Sequence, residues 1–240
     1  MSRRRLRIIG LGTVALFAGA LAVGGCGQPD DNGTAAGDAQ DGTASPSSTD
    51  AADPSELPVA PPADEPTATD GDHRVTYDWA LPSDQVTIAH QAAAPTPYLV
   101  AIYAGDHPEV EPPYQRLSFY FREGFPEYNL QYVRSVEGEA TGTPISLEGN
   151  SFLRVGFVSA QAHDDSGATT ITRAPEETIG FQNLKSYGSA GDFEGHVTYG
   201  LGLQVAPDSD QILPVRAGEL EKPDGEGGVF YVVYVDVQSG

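Results

Sequence analysis

From Gly27 to about Asp72 the chain has no aromatic residue, no lysine and no arginine. Gly, Ala, Asp, Pro, Ser and Thr dominate it. Such a stretch cannot bury enough apolar surface to offset the entropy of ordering it. Whatever folds must therefore fold from the residues that follow. The segment itself reads as a disordered tether. Its second half, with Pro54, Pro58, Pro61, Pro62 and Pro66, is the stiffer part and has local polyproline II character. A coil of this length spans roughly 40 Å root-mean-square, and more where like charges repel.

Ahead of the tether lies an address. Arg3, Arg4, Arg5 and Arg7 cluster at the start of an apolar run from Leu6 to Val23, which ends in Val23-Gly24-Gly25-Cys26. The run is too short and too glycine-rich for a comfortable membrane span, which needs ~20 predominantly apolar residues. A positive start, a short greasy centre and small residues before a cysteine are the order of a bacterial lipoprotein export signal. Cys26 is the only cysteine, so no intrachain disulfide or cysteine-ligated zinc centre can form. The expected location is the outer face of the cytoplasmic membrane, held by lipid on Cys26. Ser2-Arg3-Arg4 faintly resembles a twin-arginine signal, but Arg7 stands where that signal wants an apolar residue. The export route stays open.

The formal net charge is −21, and cleavage of the leader removes four arginines. No basic stripe runs along the sequence, which disfavours nucleic acid as a partner. Anionic wall polymers and anionic lipid surfaces are disfavoured for the same reason.

Beyond the tether the pattern is β. Apolar and polar residues alternate in Tyr98–Tyr103, Leu117–Phe121, Tyr128–Val133 and Phe152–Val158. Further runs are Thr178–Tyr187, His196–Gln204, Ile212–Arg216 and Val229–Val237. The last is almost continuously apolar and reads as a central strand buried on both faces. No segment keeps an apolar 3.6 period for three turns. Short strands with turn signals between them imply one antiparallel sandwich or barrel.

Several pieces together resemble a known family. Ala104-Gly105-Asp106-His107 looks like its Gly-x-His turn, and Tyr114–Phe121 like its aromatic-Asp-Arg-apolar-x-Phe strand. Pro126–Val133 is similar to its Pro-Gly-Tyr strand. Gly191-Asp192-Phe193-Glu194-Gly195-His196 and the residues to Leu203 are the sharpest match, and Val235-Asp236-Val237 resembles its closing strand. The family is the AMIN-like domain of actinobacterial envelope lipoproteins, a relative of the AMIN module that localises amidases to peptidoglycan. Gln115 stands where the family has Asp, Glu127 where it has Gly, and the usual Arg near Phe230 is missing. The resemblance covers roughly Tyr98 to Val237. It implies a small antiparallel β-sandwich with a non-catalytic envelope-binding role. The expected organisation is 1–25 signal peptide, 26–74 lipidated cysteine and tether, 75–240 AMIN-like sandwich.

Candidate chemistry is sparse. Asp192 and Glu194, two apart, would project from one strand face and could suggest glycosidase work. That chemistry needs carboxyl groups ~5 to 9.5 Å apart across a cleft, and a turn is the simpler reading. His163-Asp164-Asp165-Ser166-Gly167 reads as a hairpin loop rather than a metal corner, and so does Asp208-Ser209-Asp210. His107, His163 and His196 are isolated. No Gly-x-Ser-x-Gly or phosphate-binding glycine loop occurs. The expectation is therefore no catalytic residue, metal or cofactor. Gly195, Gly200 and Gly202 suggest tight turns or a bulge. Phe193 is expected to be buried as the anchor of a polar turn.

The tyrosines and phenylalanines exceed what one sandwich face must bury. Exposed Tyr beside polar groups forms a common platform for carbohydrate or peptide. Glu194, His196, Tyr199, Tyr128 and Arg116 are the candidate ligand-surface residues. Three roles compete: a module binding peptidoglycan or wall glycan, an accessory docking on another envelope protein by strand addition or an exposed face, and a hydrolase using Asp192 or Glu194.

Overall fold

A computed structural model describes residues 73–206 and 212–240. The leader, Cys26, the tether and Asp208-Ser209-Asp210 lie outside the described residues. Ten strands follow one another: β1 (Arg74–Ala80), β2 (Val86–Ile88), β3 (Tyr98–His107), β4 (Tyr114–Arg122) and β5 (Glu127–Val133). Then come β6 (Ser151–Val158), β7 (Leu184–Phe193), β8 (His196–Leu203), β9 (Val215–Pro223) and β10 (Val229–Gln238). They form two five-stranded sheets: a front sheet in the order β1-β9-β10-β4-β3 and a back sheet in the order β2-β5-β6-β8-β7. Every strand pairing is antiparallel. The architecture is a β-sandwich, as the alternation implies.

Period two decides which residues make the core. On β4, Leu117, Phe119 and Phe121 point inward; on β6, Leu153, Val155 and Phe157; on β10, Val233, Val235 and Val237. Phe157 sits at the hub, 4.9 Å from both Phe119 and Phe121 between ring centroids. Each such side chain contributes about 1.5–3 kcal/mol by leaving water. β10 is the central strand of the front sheet, and Val232 through Val237 are buried on both faces. That matches the reading of this run over Val232–Val237, while Val229, Phe230 and Tyr231 are only half-buried.

The two outer faces differ. The connection 134–150 lies across the back sheet, with Val136 buried and Glu139 accepting a hydrogen bond from the Thr198 hydroxyl. It can approach because β8 carries Gly202, where a Cβ would collide with the Glu148 carbonyl. Gly202 thus allows a close approach rather than a turn. The outer face of the front sheet carries large side chains instead.

The strand edges are also occupied. Gln161 and Arg173 each form a parallel bridge to β3, Tyr98↔Gln161 and Ala101↔Arg173, with a hairpin closed by His163↔Thr169 between them. Residues 177–180 bond along the start of β7. β1 and β2 supply the remaining edge of each sheet. Covered edges resist intermolecular strand pairing.

β7 and β8 meet in a two-residue turn, with Glu194 at φ 51° and Gly195 at φ 77°. Two positive φ values in a tight hairpin match the right-handed twist of its strands. The turn puts Phe193 at the tip, 67% exposed. The expected burial of Phe193 is therefore overturned: the ring lies beyond the end of the sandwich, where the opposite sheet offers nothing to cover it.

Candidate ligand-binding face

Even-numbered residues of β4, β9 and β10 point away from the core and form rows across the front sheet. Strand register sets them side by side. Phe230 lies opposite Lys222, and Val232 opposite Leu220 and Tyr120. Next, Tyr234 lies opposite Gly218 and Ser118, and Asp236 opposite Arg216 and Arg116. A bulge between Leu99 and Ala101 turns Tyr103 of β3 onto the same face, opposite Ser118.

One end of this face is a locked ionic cluster. Arg116 donates to Asp236 through Nε (2.5 Å) and Nη2 (3.0 Å). Arg216 donates through Nε (2.8 Å) and Nη2 (2.6 Å). Asp236 is fully buried. Aromatic rings flank the guanidiniums: Arg116 stands 3.9 Å over Tyr234, and Arg216 4.7 Å over Trp79. Such contacts contribute roughly 0.5–2 kcal/mol each, more when dry. His73 stacks on the Tyr234 ring at 5.0 Å. Burial, then Arg116 and Arg216, lower its pKa from 6.5. Gly218 leaves room for the Tyr234 hydroxyl, which a Cβ there would strike. Two segments of the family resemblance, Tyr114–Phe121 and Val235-Asp236-Val237, thus meet as a cross-strand ion pair. Gln115, where the family has Asp, faces inward and accepts the backbone N–H groups of Asn183 and Leu184 at 2.9 and 2.8 Å.

The other end is an open groove of about 420 Å³. Tyr98, Tyr103, Tyr120 and Phe230 provide its flat surfaces, and Arg122 and Arg173 stand in its wall. Tyr103 and Tyr120 lie 4.7 Å apart at 58°, and Phe230 meets Tyr120 edge-on at 5.6 Å. Arg122 stands 4.2 Å over Phe230 and is fixed from behind by Asp224 at 2.5 Å. That hydrogen bond and the backbone N–H of Glu226 hold the Asp224 carboxyl down at about 2. Arg173 stands 5.2 Å over Tyr103, and Lys222 5.7 Å over Tyr120. Neither Arg173 nor Lys222 pairs with a carboxylate among the described residues.

Nine of the 13 lysines and arginines lie beyond the leader, and five of those nine are on this face. The sequence shows no basic stripe because the five come from β4, β9 and the connection before β7. The fold, not the local sequence, gathers them.

A second cavity of about 210 Å³ opens between His90, Phe125 and Ser159. Behind it lies Glu219, an inward-facing carboxylate that is 1% exposed. Arg74 grips Glu219 directly. His90 Nε2 lies 2.8 Å away and Tyr128 Oη donates at 3.0 Å. That leaves Thr76 Oγ1 as the donor to Tyr128 Oη, at 2.6 Å. The carboxylate is saturated by its partners and acts as a cross-link.

The sequence-derived candidates scatter. Arg116 is in the ionic cluster. Tyr128 and Tyr199 are core residues, at 0% and 4% exposure, so neither can present a ring to a ligand. Tyr199 shares its strand parity with Val197, Leu201 and Leu203, which all face inward. Glu194 and His196 are exposed at the β7–β8 hairpin, away from the groove lining. Asp192 accepts from Ala162 N (3.1 Å) and lies 2.6 Å from His163 Nδ1. Neither Asp192 nor Glu194 lines either cavity. Asp164 closes a loop, accepting from the backbone N–H of Ser166 and Ala168. Among the described residues no group of three His, Cys, Asp or Glu is placed to hold a metal, and no helix is long and apolar enough to cross a membrane. The groove residues Tyr103 and Arg173, and Lys222 beside Tyr120, escaped the sequence reading. Only the outward parity shared by Tyr120 and Arg122 with Arg116 pointed at this face.

The domain is all-β, with an aromatic groove on one outer face, and Glu219, Asp236, Asp192 and Asp224 are held by neighbouring side chains. The AMIN-like domain family matches residues 97–239, and the chain belongs to it. Membership ties the domain to the cell envelope and to binding rather than to a known catalytic activity. No curated protein and no solved structure matches the chain. The family match begins after β1 and β2, so the strands that complete one edge of each sheet precede the matched region.

Proposed function

We propose that the chain is a lipid-anchored, non-catalytic module of the cell envelope that associates with peptidoglycan through the outer face of its front sheet. Cys26 carries the lipid, and the stretch from Gly27 to about Asp72 lets the sandwich reach the wall. The observation that carries the reading is the aromatic groove between β3, β4 and β10, rimmed by cations in a chain of net charge −21. Flat rings offer the apolar area that pairs with the C–H faces of sugars, and their hydroxyls supply hydrogen bonds. The volume of the groove lies within the ~300–1,000 Å³ range of small-molecule sites.

Retention of the full-length chain on purified sacculi tests the wall part. Tyr103→Ala and Phe230→Ala should release it while the fold persists, with only a modest drop in melting temperature, and retention equal to wild type in both variants counts against the groove. Cys26→Ser tests the anchor: the mass of the lipid should vanish and the protein should leave the membrane or stay unprocessed. A wild-type chain that carries no lipid refutes that part. A second reading rests on Phe193. A large apolar ring fixed at the tip of a rigid hairpin suits contact with an envelope protein.

A further inference from the structure

We infer that the groove selects a peptide-substituted amino sugar, with the sugar ring on Tyr103 and Phe230 and a carboxylate of the attached peptide on Arg173; this rests on the wall-binding reading above. Three observations lead to it. First, Arg122 and Arg173 differ in state. Arg122 is committed to Asp224, which fixes it over Phe230. Arg173 is exposed, stands over Tyr103 and has no carboxylate partner among the described residues. A guanidinium without a carboxylate in so acidic a chain is a ready anion contact, and its planar fork matches a carboxylate in two-point fashion.

Second, the backbone of Arg173 is anchored while its side chain is left outside. Its carbonyl accepts the Ile102 N–H at 2.9 Å, and Thr172 donates its N–H to the Val100 carbonyl at 2.9 Å. The connection is thus stitched to β3 on both sides of the residue. That preorganisation lowers the entropy lost when a ligand is gripped.

Third, the charge pattern disfavours a polyanion, because Arg122, between Arg173 and Lys222, is already paired with Asp224. A phosphate polymer calls for a continuous run of cations. Here an aromatic floor separates Arg173, over Tyr103, from Lys222, over Tyr120, and the rest of the chain is strongly acidic. Isolated carboxylates on an otherwise neutral sugar chain fit this pattern. Peptidoglycan presents them, as lactyl-linked stem peptides on alternate sugars.

The experiment uses the full-length chain and two soluble probes of equal sugar length: a disaccharide–tetrapeptide from digested peptidoglycan and neutral chitobiose. Calorimetry at low salt should show the peptide-bearing probe binding about tenfold tighter or more, the scale of one hydrogen-bonded ion pair. Arg173→Gln should bring the two probes within about threefold of each other. Tyr103→Ala should weaken both. Equal affinity of the wild type for the two probes overturns the inference, and so does unchanged discrimination by Arg173→Gln. Tighter binding of a ribitol phosphate polymer than of the disaccharide–tetrapeptide overturns it as well. Retention on sacculi separates this failure from that of the broader reading. If sacculi hold the wild type while discrimination is absent, only the carboxylate contact falls. If sacculi do not hold it either, the wall reading falls with it.

Discussion

Removing residues 73–96 is the sharpest test of how this sandwich is held together. The family match starts at residue 97, so a chain cut at that boundary looks complete by sequence. It would lose β1 and β2, one edge of each sheet. It would also lose Arg74 and His90, two of the three direct partners of Glu219. Glu219 would keep only the Tyr128 hydroxyl while still facing the interior. Stripping partners from a buried charge costs about 3–5 kcal/mol, a large share of the ~5–15 kcal/mol that stabilises a typical domain. Tyr77 and Ile88, which pack on the core, leave with the segment and add to the loss. For a domain of this size each kcal/mol is worth roughly 2–4 °C. A chain starting at residue 97 should therefore melt at least roughly 6–20 °C below one starting at residue 73, or fail to fold. Glu219→Gln in the shorter chain should recover part of the loss, because it removes the unpaired charge. Equal melting of the two chains refutes the reasoning. A loss that Glu219→Gln leaves untouched shows that edge strands alone, not the carboxylate, carry the effect.

Three further outcomes are expected. Phe193→Ala should shift stability by no more than about 0.5 kcal/mol, as at other surface sites, whereas Phe157→Ala should cost about 3–5 kcal/mol; urea titration of both variants checks the contrast, and similar losses would place the core wrongly. His73, with its pKa held below 6.5 by burial and by Arg116 and Arg216, should stabilise the fold fully above pH 6.5. That contribution should fade as the pH falls through 6.5 towards the folded-state value, because the unfolded chain then binds the proton more readily. A ring titration by NMR should give a midpoint below 6.5 that rises in Arg216→Gln, and a midpoint at or above 6.5 in the wild type contradicts this. Glu194→Gln should leave retention on sacculi unchanged, and a clear loss would move the binding surface to the β7–β8 hairpin.

Much of the fold was legible in the chain, and its exceptions have physical causes. β3, β4, β5, β6, β8 and β10 follow the runs of alternation. β7 was expected over Thr178–Tyr187 but spans Leu184–Phe193. Its later half, Gly188-Ser189-Ala190-Gly191, lacks large side chains because residues of the 134–150 connection press against it. β9 was expected over Ile212–Arg216 but runs Val215–Pro223. An inward Glu219 breaks the pattern there, and its partners Arg74 and His90 lie 145 and 129 residues away. No local window can see such compensation. β1 and β2 carried no alternation strong enough to name them. Phe193 misled because its polar neighbours suggested a buried anchor, whereas a two-residue turn projects it outward. Tyr128 and Tyr199 were chosen for their chemistry, although their parity with Leu130 and Leu201 already pointed inward. Arg116 was found, but as a locked member of the face, and the free cation of the groove, Arg173, comes from a connection that no periodicity marks.

The position of Arg74 has a mechanical consequence. It is the first residue of β1, so any pull from the preceding chain enters the sandwich there. The same residue grips Glu219 on β9, the neighbouring strand. Tension at that point meets an ion pair with a nearly dry carboxylate before it can peel the ladder of backbone hydrogen bonds. The edge strand is fastened at its first residue, so a force applied at Arg74 would have to break the Arg74–Glu219 pair before it could unravel the sheet.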